Sequence, residues 1–479
     1  MGIIRTNNPL EYDEVDGIVI DEVAPAPSIR GVGTGVVILV GQFQRGEHDL
    51  VRVSSIKDFH TKYGKSSFSG NIQLKNKRFS ALKIVRVEAT GAVIAEKTFK
   101  ATLVDIVKFS AKSKGAYGNS IKVTIEAGSV SGKKYIIQDT STGATEFWPD
   151  EIYDNVLITE VASKLAGSLL VDVTVIATSS EPDNAVATAL TAGVDGVVAD
   201  VDYELAIEKC EAEGAGNILF LDSYNDIRNG YLKVHSALTK DKMCILSHAE
   251  ADSVSSVVAD VATLRDTEGR LVYAFNWLQT TVDGQLVYTC PASWYASILS
   301  QTAPNIDPAF AGNTQFLAGV SDVKLKLTRD EYKQLMEAGV SAFEFDSDIG
   351  FKVKSGVTTQ IADSSKLTVL RRRMADYLTN SVARFLKVYQ NAVNSKANRT
   401  AVKGAMLRFI EQQENTGILP KDAEVNGGKA KLVDTDSENT NDTIAQGKFI
   451  IVYKQRIYSS MRFIVLKAEI GESVVVTES

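Results

Sequence analysis

The sequence predicts an α/β domain that carries an inserted β domain and is followed by a helical region ending in strands. Three observations lead there. Buried-type strands alternate with helix-like segments over two separated stretches. Between those stretches the pattern changes to short alternating strands, and the clearest helical periodicity comes after both. Strands alternating with helices imply βαβ units and a mostly parallel sheet, whereas short strands set between Gly, Ser and Thr clusters imply a small β domain.

Residues 1–25 read as an extended arm. They hold one short β-type run, Gly17-Ile18-Val19-Ile20, and lead into Ala24-Pro25-Ala26-Pro27, which stiffens the chain and removes two backbone donors. Residues 26–95 supply the first part of the α/β domain. Val36 to Val40 is a continuous apolar run suited to a strand buried on both faces. A helix from Ser54 or Ser55 follows, with Ile56, Phe59 and Tyr63 at helical spacing, and then a second buried strand over 81–87.

Residues 96–198 form the predicted insertion, with strands over 121–125 and 134–137 and a short helix near 154–166. Residues 199–364 return to α/β. Asp200 or Asp202 is placed to cap a helix over 203–213, which leads into a strand over 217–221. Helices around 228–239 and 251–264 precede strands over 243–246 and 271–275. In the last region, 365–479, Leu370, Met374, Leu378, Phe385 and Val388 share one helical face, and Val402, Met406, Phe409 and Ile410 share another. Strand-type runs close the chain at 449–453, 463–466 and 474–476.

A chain of 479 residues exceeds one ordinary core, so two to four domains are expected. A formal net charge of −7 gives no global attraction to nucleic acid or acidic lipid. The three cysteines, Cys210, Cys244 and Cys290, are far apart and read as small core residues without a disulfide or metal motif. The N-terminus lacks the apolar run of a secretion signal, and no run reaches the length of a membrane helix, so folding in a cytoplasm is expected.

Motifs for chemistry are sparse. Gly31-Val32-Gly33-Thr34-Gly35 precedes a strand, whereas a dinucleotide loop follows one and opens a helix, so a turn is expected. His48, His60, His235 and His248 have no zinc-ligand spacing, and no nucleophile elbow occurs. Asp346-Ser347-Asp348 and the acidic run 434–438 lack the glycine and glutamate of a calcium loop. No catalytic residue, cofactor or metal is assigned.

Charge is more informative. Lys366, Arg371, Arg372, Arg373, Arg384, Lys387, Lys396, Arg399, Lys403 and Arg408 are interrupted by a single acid, Asp376. Either they form a solvated helix face with an Arg372–Asp376 pair, or they meet an acidic partner. The strip has no interleaved aromatics for base stacking, so a protein partner is favoured over nucleic acid. The strand-prone segments at both extremes either fold back or add to another subunit's sheet.

Taken in order, these segments resemble the contractile-tail sheath family over nearly the whole chain. Residues 35–46 are similar to that family's opening strand and its following turn, and 81–87 to the strand that closes this section. Residues 115–123 resemble its "GAWGN" segment with Tyr117 in place of Trp. Residues 190–196 resemble the return into the α/β domain, with Ala192 where the first glycine is usual. Pro291 to Ala296, Ala303-Pro304-Asn305, Met406 to Ile410 and Gly417-Ile418-Leu419 match further segments. In the closing hairpin, Ile457-Tyr458-Ser459-Ser460 replaces the family's proline-rich turn.

The resemblance implies a central α/β domain of subtilisin-like topology without catalytic residues, an inserted outer β domain, and an α+β inner C-terminal domain with extended terminal arms. It implies a structural subunit that stacks in hexameric rings around an inner tube and contracts, without a cofactor. Its partners would be further copies of itself, the tube protein, and baseplate and terminator proteins, with no direct nucleic acid and no membrane. The place would be a virion tail or injection particle assembled in a host cytoplasm.

The implied tube contacts are Arg371, Arg372, Arg373, Arg384, Lys387, Lys396, Arg399, Lys403 and Arg408. The implied strand-exchange residues are Ile18, Val19, Ile20, Phe463, Val465, Val474, Val475 and Val476. A non-contractile virion protein and an α/β hydrolase are the rival readings.

Overall fold

A computed structural model describes residues 3–5, 18–20, 29–64, 70–141, 150–214, 216–282, 284–425 and 429–462. It divides into two compact units, residues 33–377 with 459–479, and residues 1–32 with 378–458.

The larger unit is organised by one sheet. Its strands are β1 (Val36–Gly41), β2 (Val51–Val53), β3 (Ala81–Arg86), β4 (Asn217–Leu221), β5 (Lys242–Leu246), β6 (Leu271–Phe275), β7 (Val340–Asp346) and β8 (Gly350–Val353). They lie in the order 8-7-6-5-4-1-3-2. Neighbours from β3 through β7 are parallel, and β2 and β8 close the edges antiparallel. Every residue of β4, β5 and β6 is buried, which explains why they read as apolar runs and not as alternation.

The crossover helices are α1 (Asp200–Glu208), α2 (Asp226–Thr239) and α3 (Val254–Leu264). Asn225 caps α2 by accepting from the Arg228 N–H at 2.8 Å, and Ser253 caps α3. At α1 the cap position falls on Ala199, not on Asp200 or Asp202. The Asp202 carboxylate accepts the Ala199 N–H at 2.8 Å from inside the first turn. A fourth helix, α4 (Pro291–Gln301), is buried from Pro291 through Ser300.

Of the glycines before β1, Gly35 is fixed by packing. A Cβ on Gly35 would lie 2.5 Å from the Ser300 carbonyl oxygen, so only glycine lets β1 start beside the end of α4. The Ser300 hydroxyl in turn donates to the Gly35 carbonyl at 2.6 Å.

The insertion forms two small sheets. One orders Glu151–Val156, Lys133–Asp139, Ile121–Ala127 and Ala185–Ala189, and the other Val171–Val175, Val104–Ala111 and Glu96–Ala101. They enclose a separate core that includes Phe99, Phe109, Val123 and Tyr135. The helix expected near 154–166 forms only over its second half, as the α-helical turn Val161–Lys164 continued by the 3₁₀ turn Leu165–Gly167, after a strand that ends at Val156. Asp154 accepts from the Ser129 N–H at 3.1 Å, and Asn155 takes a φ of 57°. Both residues lie in the strand Glu151–Val156, and their side chains accept from the turn at Ser129, Val130 and Ser131.

Two of the motif segments meet at the neck of the insertion. Asn119 donates to the Gly193 carbonyl at 2.8 Å and accepts its N–H at 2.9 Å, while Asp195 accepts from Ala116 N–H at 2.7 Å. Arg45, 4% exposed, donates to the Thr61 carbonyl at 2.9 Å and also reaches Tyr117 and Asp139 across the neck.

In the smaller unit, Ile18–Ile20 pairs in parallel with Ile3–Arg5, so this run is a ribbon partner and not a lone strand. Helix α5 (Val369–Leu386) crosses the unit boundary at Leu378, and α6 (Lys396–Asn415) lies wholly in the smaller unit. Val402, Met406, Phe409 and Ile410 are buried on α6, at the expected spacing. Val388 departs from its expected face. α5 ends at Leu386, a 3₁₀ turn follows, and Val388 is 80% exposed. The C-terminal strand-type run narrows to Val452–Gln455, paired antiparallel with Lys431–Asp434.

Candidate assembly surfaces

The nine cations are divided between the two units. The first three sit on α5 within the larger unit and are largely spent on its fold. Arg373 is 4% exposed, and its guanidinium donates to the Leu299 carbonyl at 2.7 Å, the Thr302 carbonyl at 3.1 Å and the Thr302 hydroxyl at 3.2 Å. Burial pulls its pKa down to about 10. A tube contact by Arg373 is therefore corrected. This side chain holds the C-terminal carbonyls of α4, which have no partner within their own helix.

Arg372 pairs with Asp376, whose carboxylate also receives Arg270 at 2.7 Å, and both arginines are largely covered. Arg371 donates to the Ser364 carbonyl at 2.7 Å and to the Ser459 hydroxyl. For this trio, the internal Arg372–Asp376 pairing holds.

The remaining cations lie in the smaller unit. Arg384, Lys387, Lys396 and Arg408 are exposed. Arg399 is half-buried and donates to the Asn394 carbonyl at 3.0 Å, and Lys403 lies 3.7 Å from Asp436. At 100° per residue, Lys396, Arg399 and Lys403 share one side of α6, with Arg408 about 140° round from Lys403. The charge is thus distributed over more than one face.

A feature that periodicity missed lies beside these cations. The turn after α5 and the segment before the last strand enclose a cleft of about 540 Å³, lined by Leu386, Tyr389, Val393, Arg399, Phe449 and Ile451. The available signal was Val393, an apolar residue of the lining that is 77% exposed.

Of the strand-exchange residues, Ile18, Val19 and Ile20 lie in the short parallel ribbon. Phe463, Val465, Val474, Val475 and Val476 lie outside the described residues. Among the described residues, the antiparallel ribbon of Lys431–Asp434 and Val452–Gln455 has only these two strands. Two strands alone are marginal in water, and among the described residues no further strand pairs with either outer edge.

The usual ligand position of an α/β sheet is the crevice where strand order reverses, here between the ends of β1 and β4. Asp222 fills it, accepting from the Tyr203 hydroxyl at 2.6 Å and the Gln42 N–H at 2.8 Å. Burial raises the Asp222 carboxyl above the usual range. His248, after β5, is held as a neutral ring. Its Nδ1 donates to the Ala249 carbonyl at 2.8 Å, and its Nε2 accepts the Asn276 N–H at 3.3 Å. Cys210, Cys244 and Cys290 are buried and form no disulfide with one another. Among the described residues, no group of three or more His, Cys, Asp or Glu is placed to hold a metal ion, and no helix is long and apolar enough to cross a membrane.

No protein-family model and no curated protein matches the chain. Solved structures do. The sheath tail protein of Listeria innocua matches with a TM-score of 0.65 and 15% identity, covering 89% of this chain and 96% of that one. The sheath tail protein of Desulfitobacterium hafniense matches at 0.63 and 15%, covering 92% and 100%. The helical sheath of the anti-feeding prophage in its contracted state matches at 0.58 and 14%, covering 95% and 99%. The chain therefore shares its fold with sheath tail proteins and with the sheaths of contractile injection systems.

Proposed function

We propose that this chain is the structural subunit of a contractile sheath, stacking as hexameric rings around an inner tube and contracting to drive the tube through a target envelope. The observation that carries the proposal is the likeness of fold, which runs end to end over chains of similar length. On this reading residues 96–198 are an outer domain. The α/β body keeps a subtilisin-like topology without its chemistry, and residues from 365 onward form the inner region. The rival hydrolase reading has no support from the crevice, which Asp222 and Tyr203 occupy.

The exposed cations Arg384, Lys387, Lys396 and Arg408 face an acidic tube. Each exposed ion pair contributes only about 0.2–1 kcal/mol, so firm attachment comes from repetition along the tail. The terminal segments complete ribbon edges in neighbouring copies by backbone pairing. Such pairing depends little on side chains, so it survives while the bodies rotate. Heterologous contacts of this kind propagate as a helix. Baseplate and terminator proteins bound the assembly, in a virion tail or injection particle built in a host cytoplasm.

Electron microscopy of the purified chain tests this. Hollow cylinders or stacked rings are expected without cofactor, and removal of residues 1–22 is expected to leave a folded monomer. A parent chain that stays monomeric at every concentration and salt would refute the sheath reading. A truncated chain that still forms contractile cylinders would refute strand exchange alone.

A further inference from the structure

The insertion and the α/β body keep separate apolar cores. One includes Phe99, Phe109, Val123 and Tyr135, the other Val37, Leu39, Phe220 and Tyr273. Among the described residues, no named strand of the insertion pairs with a strand of the body. The chain crosses between them twice, and the crossings meet each other at Thr90–Val197 and Val93–Val194. Such a pair of crossings alone makes a pliable stalk, because an isolated two-stranded ribbon is marginal in water.

Two buried arginines brace that stalk. Arg45, in the loop after β1, spans both bodies. One of its terminal nitrogens donates to the His60 carbonyl at 3.2 Å and the Thr61 carbonyl at 2.9 Å, in the last turn of the helix Ile56–Tyr63. The other donates to the Tyr117 hydroxyl and lies 3.4 Å from the Asp139 carboxylate, both in the insertion. Tyr117 in turn donates to Asp139, which is 7% exposed.

Arg86, which ends β3, grips the same loop from the other side. Its Nε donates to the Phe43 carbonyl at 2.9 Å, and its terminal nitrogens donate to the carbonyls of Gly46 at 3.3 Å and of Lys114, in the insertion, at 3.0 Å. The Gly46 N–H donates to the Ser113 hydroxyl at 3.0 Å. A Cβ on Gly46 would lie 2.5 Å from the Tyr63 ring, so only glycine lets the loop pass between helix and insertion.

We infer that Arg45 and Arg86 form a latch that fixes the angle of the insertion on the α/β body, so that the insertion is carried as a rigid arm and not on a hinge. Apolar packing is non-directional and lets surfaces slide. Charge-assisted hydrogen bonds to carbonyls and a carboxylate set direction as well as distance. Swinging the insertion away would part Arg45 from Asp139 and leave both charges without their partner, which opposes the motion. The latch is a property of the single chain. On the sheath function proposed above, its consequence is that the insertion follows each rotation of the body.

Spin labels on Leu103→Cys, at a hairpin tip of the insertion, and on Ile227→Cys, in the first turn of α2, read this angle as a distance distribution. Both positions are exposed, and the three native cysteines are buried. Excess unlabelled chain keeps pairs from different copies out of the signal. A single narrow distribution is expected from the parent, and one about twofold broader or more from Arg45→Met. Where Arg45→Met does not fold, Tyr117→Phe combined with Asp139→Asn removes the insertion's half of the contact and is expected to broaden the distribution likewise. Amide exchange in 121–127 and 217–221, within the two cores, is expected to stay at parent rates. A broad distribution in the parent overturns the latch, as does a parent-like width in a folded variant. Broadening accompanied by faster exchange in 121–127 overturns it too, because the contact would then hold the insertion's fold and not its angle. Micrographs of assembly read the sheath function, so the two fail separately.

Discussion

The Arg373 guanidinium donates to the Leu299 carbonyl oxygen at 2.7 Å, placing a cation on the last turn of α4. One of the most surface-like residues in the sequence thus closes the end of a helix buried from Pro291 through Ser300.

Replacing Arg373 is therefore expected to cost stability before it touches assembly. Arg373→Met leaves the Leu299 and Thr302 carbonyls short of donors, at about 1–3 kcal/mol. Arg373→Glu is worse, because it buries a carboxylate against carbonyl oxygens. Urea unfolding of a non-assembling truncation measures both. An unchanged midpoint for Arg373→Met would show that the contact does not stabilise the unit.

Charge reversal at Arg384, Lys387, Lys396 and Arg408, all exposed, is expected to leave folding within about 0.5 kcal/mol. Extended tails should then lose their tube more readily, and more so at high salt, where screening weakens the remaining pairs. Co-assembly with the tube protein, scored by micrographs of filled and empty cylinders, reads the effect. Normal filling at all salts would place these cations away from the tube.

The two glycines at 33 and 35 should separate cleanly. Gly35→Ala sets a Cβ 2.5 Å from the Ser300 carbonyl, an overpacking expected to cost about 1–3 kcal/mol. A Cβ at Gly33 meets nothing within 4 Å, so Gly33→Ala is expected to be neutral or slightly stabilising. Thermal melts of the two variants decide it. Equal melting temperatures would mean that β1 is free to move away from α4.

Acid should weaken the α/β unit through two histidines. Burial lowers His248 and His235 from 6.5 to about 4; the Ala249 bond and Asp252 partly oppose this at His248, and Asp241 does so at His235. A folded-state pKa below the unfolded one adds stability that is complete above pH 6.5 and is lost as pH falls toward 4. The upper limit is roughly 3 kcal/mol per histidine. His248→Gln is expected to flatten the stability profile across this window, read by denaturation at stepped pH. An unchanged slope would remove His248 from the acid response.

By itself the sequence determined the parallel strands and their helices, because burial on both faces leaves unbroken apolar runs such as 217–221 and 271–275. It determined the change to a β insertion for a similar reason, since alternation in 121–125 marks one buried face. Ordered motifs also carried the resemblance to sheath proteins, and two of them meet where the Asn119 side-chain amide pairs with the Gly193 backbone.

The tertiary structure alone decided which cations are surface. Arg373 and Arg384 look alike in a helical wheel, yet the α4 terminus covers one, and the other is exposed. It also decided that Val388 leaves its helix, that Ile18 to Ile20 pairs with Ile3 to Arg5, and that Gly230 faces open space. Periodicity reports which side of an element is apolar. What stands against that side is set by residues far away in the chain, and a local pattern carries no record of them.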